Sequence, residues 1–236
     1  MVTHLAEEFA QSDFKPVSCE LEIGNNGIQL EFPYNNGKLV INGSIDRVDE
    51  YNGYIRVIDY KTGSKKFKLP DVLFGLNIQM LLYLYAVTKT QNNMAAGILY
   101  MPSNRALNAE GMAMNGLILA DIDNVTAMEQ QNKGEFVPVL STNKDGCVSK
   151  RLTSFATKEE FETIFAYIEK IMKDVGNEIS NGKIEVAPVD GRESNACDYC
   201  DYKSVCGIES KIGFKVPNLK NSEVFEKMKE AEDSGI

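Results

Sequence analysis

Two short segments hold residues that could do chemistry: "GSIDRVD", Gly43 to Asp49, and "IDYKTG", Ile58 to Gly63. Strand residues two apart share a face, so Asp59 and Lys61 point one way while Ile58 and Tyr60 point the other. Asn52-Gly53, lying between the segments, is a strong reversal signal. Pairing through that turn brings Asp46 close to Asp59 on one face. Two converging carboxylates make an oxygen-rich site suited to Mg²⁺ or Mn²⁺. A lysine beside them can orient and deprotonate a water, or stabilise charge developing on a phosphate. Metal, lysine and phosphate suffice for phosphodiester hydrolysis. By spacing alone the same pattern also describes a cross-strand ion pair on an ordinary exposed edge.

Three further groups of residues bear on the choice. "NIQMLLYLYA" places Gln79 and Tyr83 at i and i+4, on one face of a helix. "KTGSKKFK" puts Lys61, Lys65, Lys66 and Lys68 within eight residues, which suits either a solvated loop or a phosphate-facing one. "CDYCDYKSVC" spaces Cys197, Cys200 and Cys206 as Cys-x2-Cys-x5-Cys, one thiolate short of a four-ligand site.

The ordered set "GSIDRVD", "IDYKTG" and "NIQMLLYLYA" resembles the RecB-like branch of the PD-(D/E)XK nucleases. That branch carries Gly-x-x-Asp, then Asp-Tyr-Lys, then a helix with Gln-x-x-x-Tyr. The resemblance implies that Asp46 and Asp59 are metal ligands, that Lys61 is the catalytic lysine, and that the Tyr60 carbonyl completes the metal shell. Gln79 and Tyr83 would orient the site or meet DNA. The cysteine spacing resembles the iron-sulfur nuclease domain of AddB-type helicase-nuclease subunits. Cys197, Cys200 and Cys206 would then be three ligands of a 4Fe-4S cluster whose first ligand lies far upstream. The implied partners are DNA and an AddA-like helicase/nuclease subunit, in double-strand-break repair and recombination.

Two departures from that pattern stand out. The family places a Gly-x-x-x-His helix before this region, and His4 lacks the glycine, so His4 reads as a surface helix residue. Cys19 falls in a strand pattern and Cys147 in a polar turn, and both read as structural. The simplest account is a C-terminal fragment of a much longer protein, with a cluster absent or incomplete. Glu20 or Glu22 could face the metal from a neighbouring strand, and the spacing does not choose between them.

These side chains need a frame. "MVTHLAEEFAQSDF" predicts a helix with Val2, Leu5, Ala6 and Phe9 on one face, stopped by Pro16. "VSCELEIG" and "IQLEFPY" alternate about the turn signal "GNNG", which predicts a hairpin. "GKLVINGSIDRVDEY" reads as one long strand returning through "YIRVIDYKTG". A helix opens at Pro70 and runs with apolar periodicity from Val72 to Lys89. "AAGILYM" and "MAMNGLILA" read as buried strands. From Asp121 to about Arg151 the pattern loosens to a short helix and turns. Thr157 and Glu160 form a capping box for a long helix that Gly182 ends. The last residues, "EKMKEAEDSGI", read as a fraying helix or a disordered end. This order of elements predicts an α/β fold with a mixed central sheet flanked by helices, and the resemblance implies a restriction-endonuclease-like core. On that resemblance residues 1–186 are expected to form the nuclease core, without the family's upstream helix, and 187–236 a cysteine-bearing tail on the same domain.

The 236 residues are 43% hydrophobic and 25% charged, a globular balance. No apolar run is long enough for a membrane span, and the N-terminus lacks a signal-peptide core, so a soluble, cytoplasmic protein is expected. A net charge of −9 speaks against gripping nucleic acid by bulk electrostatics. It leaves room for a metal nuclease, because a bound cation offsets the carboxylates locally. The leading expectation is a Mg²⁺-dependent DNA exonuclease module. Behind it stand a nuclease-fold module that binds DNA or a partner without cutting, and a small zinc-binding domain that would leave "IDYKTG" unexplained.

Overall fold

The computed structural model describes residues 2–24, 26–63, 65–103, 113–131, 134–137, 139–140, 149–150, 154–191, 195–198, 200–206 and 214–233. In chain order the elements are α1 (Val2–Gln11), β1 (Lys15–Ile23), β2 (Glu31–Tyr34), β3 (Gly37–Val40), β4 (Gly43–Tyr51) and β5 (Tyr54–Lys61). Then come α2 (Leu69–Val72), α3 (Gln79–Gln91), β6 (Met94–Pro102), β7 (Asn115–Leu119), α4 (Ile122–Met128), β8 (Val139–Leu140), β9 (Ser149–Lys150) and β10 (Ser154–Ala156). The chain closes with α5 (Lys158–Ser180), β11 (Val189–Asp190), α6 (Lys203–Cys206), β12 (Phe214–Lys215) and α7 (Asn221–Asp233).

A six-stranded sheet in the order β1-β4-β5-β6-β7-β10 is the frame, with parallel pairing at β5–β6 and β7–β10 and antiparallel pairing elsewhere. It is the expected mixed sheet. Strand residues alternate between its faces, so each face carries its own apolar layer. Val57, Ile98 and Leu117 pack with α3, α5 and α7, whereas Ile58, Leu99 and Ile118 pack with Phe14 and with Val125 and Met128 near α4.

Several local expectations are met. Asn52 and Gly53 both take positive φ, +48° and +80°, the geometry that turns a tight hairpin, and β4 and β5 pair directly across them. Thr157 and Glu160 form the reciprocal capping box of α5, and Gly182 at φ +70° follows its end.

Other expectations are corrected. The strand after "GNNG" does not pair back on β1. Ile28 makes one parallel bridge to Ile23, and the nine-residue β1 pairs instead with the equally long β4, which gives more ladder than four-residue β2 offers. The long strand from Gly37 is broken at 41–42, and its first part, β3, forms a separate hairpin with β2. The helix from Val72 to Lys89 is two helices. Gly75 (φ +76°) and Asn77 (φ +56°) reverse the chain between them, around buried Asp71. The Asp71 carbonyl accepts from the N–H groups of Phe74 and Leu76, and its carboxylate accepts from Asn77 Nδ2. Of the two expectations for the C-terminal end the helix holds to Asp233, and it is packed: Met228 is buried in the α5 layer with the preceding Val224 and Phe225, while residues 234–236 lie outside the described residues.

Helix α1 departs most from its expected role. Val2 is exposed, while Glu8 is fully buried. The Glu8 carboxylate accepts from Arg47 at 2.9 Å and from Arg56 at 2.6 Å, and both arginines also reach Asp49. Phe9 and Phe14 lie under the two guanidinium planes. Burial alone would push the Arg47 pKa down, but the hydrogen bond and charge of Asp49, with Glu8, more than reverse it and hold the cation. A four-charge cluster thus ties α1 to the face of β4 and β5 opposite Asp59.

Candidate nuclease site

Asp59 sits where β5 runs beside β6, on the α3 face of the sheet. Its side chain is almost wholly buried, and Lys61 Nζ lies 2.6 Å from Oδ2. The approach is close but poorly aligned for a hydrogen bond, so the contact is an ion pair and Oδ2 has no well-directed donor among the described residues. Burial raises the Asp59 pKa above its ordinary value; the Lys61 ammonium opposes that, and the Asp46 carboxylate adds to it. Asp46 is fixed differently: its Oδ2 accepts the backbone N–H of Tyr60 at 2.8 Å. The hairpin therefore brings Asp46, Asp59, Tyr60 and Lys61 to one point. The Tyr60 ring leaves by the other face, where its hydroxyl accepts from Arg47 at 3.3 Å.

The first residue of α3 is Gln79, and its Nε2 donates to the Tyr83 hydroxyl at 3.2 Å. Tyr83 is buried, and its ring end occupies the space that a β-carbon on Gly43 would need. The "GSID" and "NIQMLLYLYA" segments thus meet one residue from Ser44 and three from Asp46. Opposite Asp59, β6 presents Tyr100, and opposite Tyr100, β7 presents Asn115, so the three side chains form a row across one face. Burial chiefly, and the Asp59 charge as well, push the Tyr100 phenol well up from its ordinary pKa.

Asp46, Asp59 and the Tyr60 carbonyl are the groups that could hold a metal. Among the described residues no three His, Cys, Asp or Glu side chains converge as a metal-holding group. Glu20, at φ +49°, has Ser44 Oγ as a donor at 3.4 Å, and Glu22 is exposed. Neither carboxylate joins Asp46 and Asp59 in such a group.

Cys197 is half-buried and Cys200 exposed on the segment before α6, and exposed Cys206 is the last residue of that helix; all three thiols are free. They too fail to converge. Cys19 is exposed on β1, and Cys147 lies outside the described residues. His4 is half-buried rather than freely exposed: its ring packs 4.9 Å from Phe136, and Nε2 is buried with no hydrogen-bond partner among the described residues. Sequence reasoning missed Glu8, Arg47 and Asn115. For Glu8 a weak signal existed, since it follows Leu5 by three residues and so borders the apolar side of α1; for Asn115 there was none.

The model of the PD-(D/E)XK nuclease superfamily matches residues 1–207. The chain belongs to that superfamily. Nucleases of this family generally use divalent metal ions, in keeping with the paired carboxylates. Similar curated proteins are named as a subunit of an ATP-dependent helicase/deoxyribonuclease. The one from Clostridioides difficile is 31% identical over 96% of this chain and 23% of its own length. The one from Acetivibrio thermocellus is 32% identical over 97% and 23%. That of Clostridium botulinum strain Hall is 33% identical over 95% and 22%. The chain spans less than a quarter of the length of these relatives. No helix among the described residues is long and apolar enough to cross a membrane.

Proposed function

We propose that this chain is the nuclease domain of a helicase/exonuclease subunit and hydrolyses DNA phosphodiester bonds with a divalent cation. The observation that carries the reading is the hairpin geometry: Lys61 is 2.6 Å from Asp59, while the Tyr60 N–H holds Asp46 next to it. The donor set fits Mg²⁺ or Mn²⁺, since it offers two carboxylates, one with a buried oxygen short of a directed donor, and a backbone carbonyl. When bound, the cation supplies Lewis acidity toward a phosphoryl oxygen and a lowered pKa for water.

The rest is work for the chain's own side chains. Asp46, pinned by the Tyr60 N–H, keeps a fixed carboxylate at the site without spending side-chain entropy on binding. Lys61 Nζ turns from Asp59 toward the attacking water or the developing phosphoryl charge. Gln79 and Tyr83 close the α3 side, and buried Tyr100 limits water on the β6 side. Substrate is DNA, in line with relatives named as a helicase/deoxyribonuclease subunit; the setting in double-strand-break repair and recombination and an AddA-like partner subunit follow from the motif resemblance.

The same reading takes residues 1–186 as the nuclease core and 187–236 as a cysteine-bearing tail. Cys197, Cys200 and Cys206 supply three of the four ligands of a 4Fe-4S cluster and do not themselves close that site. The test is Mn²⁺ calorimetry on this chain with a parallel single-stranded DNA cleavage assay. Binding with cleavage is expected. Binding without cleavage would leave a DNA- or partner-binding module of nuclease fold, and absence of binding would return Asp46 and Asp59 to an ordinary strand ion-pair pattern.

A further inference from the structure

Lys65 follows the catalytic strand by four residues, on a segment that leaves the sheet. Two hydrogen bonds from one side chain pin that segment back. Asn115 Nδ2 donates to the Lys65 carbonyl at 2.7 Å, and Asn115 Oδ1 accepts the Phe67 N–H at 2.9 Å. Asn115 pairs with Tyr100 and Tyr100 with Asp59, so the clamp lies in the same row as the catalytic carboxylate. The clamp sets the Lys65 ammonium 5.2 Å from the centre of the Tyr100 ring. Lys65 is half-buried, and among the described residues no carboxylate lies within ion-pairing distance of it. Asp59, whose charge Lys65 feels, already has Lys61.

A half-buried ammonium over a ring face, without an ion-pair partner among the described residues, is costly to keep, and the Asn115 clamp holds it there anyway. Burial first and the Lys61 charge second push its pKa down, while Asp59 acts the other way. Charge at the site supplies a reason. Asp46 and Asp59 bring two negative charges, which a divalent cation cancels. Lys61 and Lys65 then leave the site positive on a chain whose net charge is −9.

We propose that Lys65 is a substrate-binding cation of the nuclease site, clamped by Asn115 over Tyr100 so that its ammonium takes a backbone phosphate of the DNA strand. It rests on the nuclease reading and adds the residue that grips the strand next to the attacked bond. Lys61 serves the reaction and Lys65 the register of the strand.

The test measures binding of a fluorescent single-stranded 20-mer to the full chain in Ca²⁺ across a salt series, and cleavage of the same strand in Mg²⁺. Lys65→Gln is expected to weaken binding about fivefold to tenfold and to lower the slope of log Kd against log salt by about 0.7. Lys65→Arg keeps most of both, and Mn²⁺ affinity stays unchanged in each. Asn115→Ala, which frees the clamp without touching the charge, is expected to weaken binding in the same direction while the salt slope stays. Wild-type DNA affinity in Lys65→Gln overturns the proposal. So does a loss of Mn²⁺ affinity in Lys65→Gln as large as that in Asp59→Ala, because Lys65 would then support the metal site. Failure of the nuclease reading looks different: no cleavage by the unsubstituted chain, with the Lys65 effect on binding intact.

Discussion

The Tyr83 phenol fills the space a β-carbon on Gly43 would take, so the glycine before Asp46 and the tyrosine after Gln79 are two sides of one contact. Tyr83 Cζ and Cε1 would lie 3.0 and 3.1 Å from that β-carbon, tighter than ordinary packing. Gly43→Ala should therefore push α3 away from β4 and cost about 1–3 kcal/mol of stability. Tyr83→Ala should relieve that clash, giving a coupling of about 1 kcal/mol or more in a double-mutant cycle read by urea unfolding. Tyr83→Phe should relieve much of the clash, since the hydroxyl makes the closest approach, and leave only the tight ring-carbon contacts. Additive effects of Gly43→Ala and Tyr83→Ala would mean the contact is not formed.

Asp59 and Lys61 should separate binding from turnover. Asp59→Ala is expected to abolish Mn²⁺ binding by calorimetry. Lys61→Ala should keep the metal and lower single-turnover cleavage by about 10²- to 10⁴-fold. Unchanged Mn²⁺ affinity in Asp59→Ala would remove that residue from the metal shell.

The raised Asp59 pKa makes the metal-free site a cost to the fold. A carboxyl whose folded pKa exceeds its unfolded one contributes stability below the unfolded value, near 3.8, and loses it as pH rises through the folded value. At neutral pH in EDTA, Asp59→Asn should therefore melt higher than the unsubstituted chain, by about 2–4 °C for each kcal/mol relieved. The gain should shrink to nothing as pH falls to about 4. Added Mn²⁺ should raise the melting temperature of the unsubstituted chain and not of Asp59→Asn. A gain that persists undiminished at about pH 4 would assign it to something other than ionisation.

Glu8 should matter more to folding than any other acidic residue of α1. Glu8→Ala leaves Arg47 and Arg56 buried with only Asp49 between them, and should cost about 3–5 kcal/mol by denaturant unfolding. Glu8→Gln, which keeps the shape and some hydrogen bonds, should cost less. A loss under about 1 kcal/mol in Glu8→Ala would show that α1 is not held by this cluster.

What the sequence by itself determined was written in contiguous residues. Asn52-Gly53 fixes a tight turn through its own backbone preferences, and that turn puts Asp46 beside Asp59. The period of two puts Lys61 on the same face. Thr157 and Glu160 cap α5 from within four residues. Choices between distant partners were decided only by the tertiary structure. β1 could pair with β2 or β4 by pattern, and the longer ladder with β4 prevails. The helical periodicity across Val72–Lys89 is continuous in sequence, yet the buried turn at Asp71 breaks it and places Gln79 first on α3. The spacing of Glu8 from Leu5 hints at burial, but only Arg47 and Arg56, brought from β4 and β5, make it the anion of a buried cluster. The lysine run holding Lys65 reads equally as a solvated or a phosphate-facing loop until Asn115, fifty residues on, ties its segment over Tyr100. Local backbone preference and periodicity are properties of a few neighbours, whereas burial and charge pairing depend on which distant surfaces the whole chain brings together.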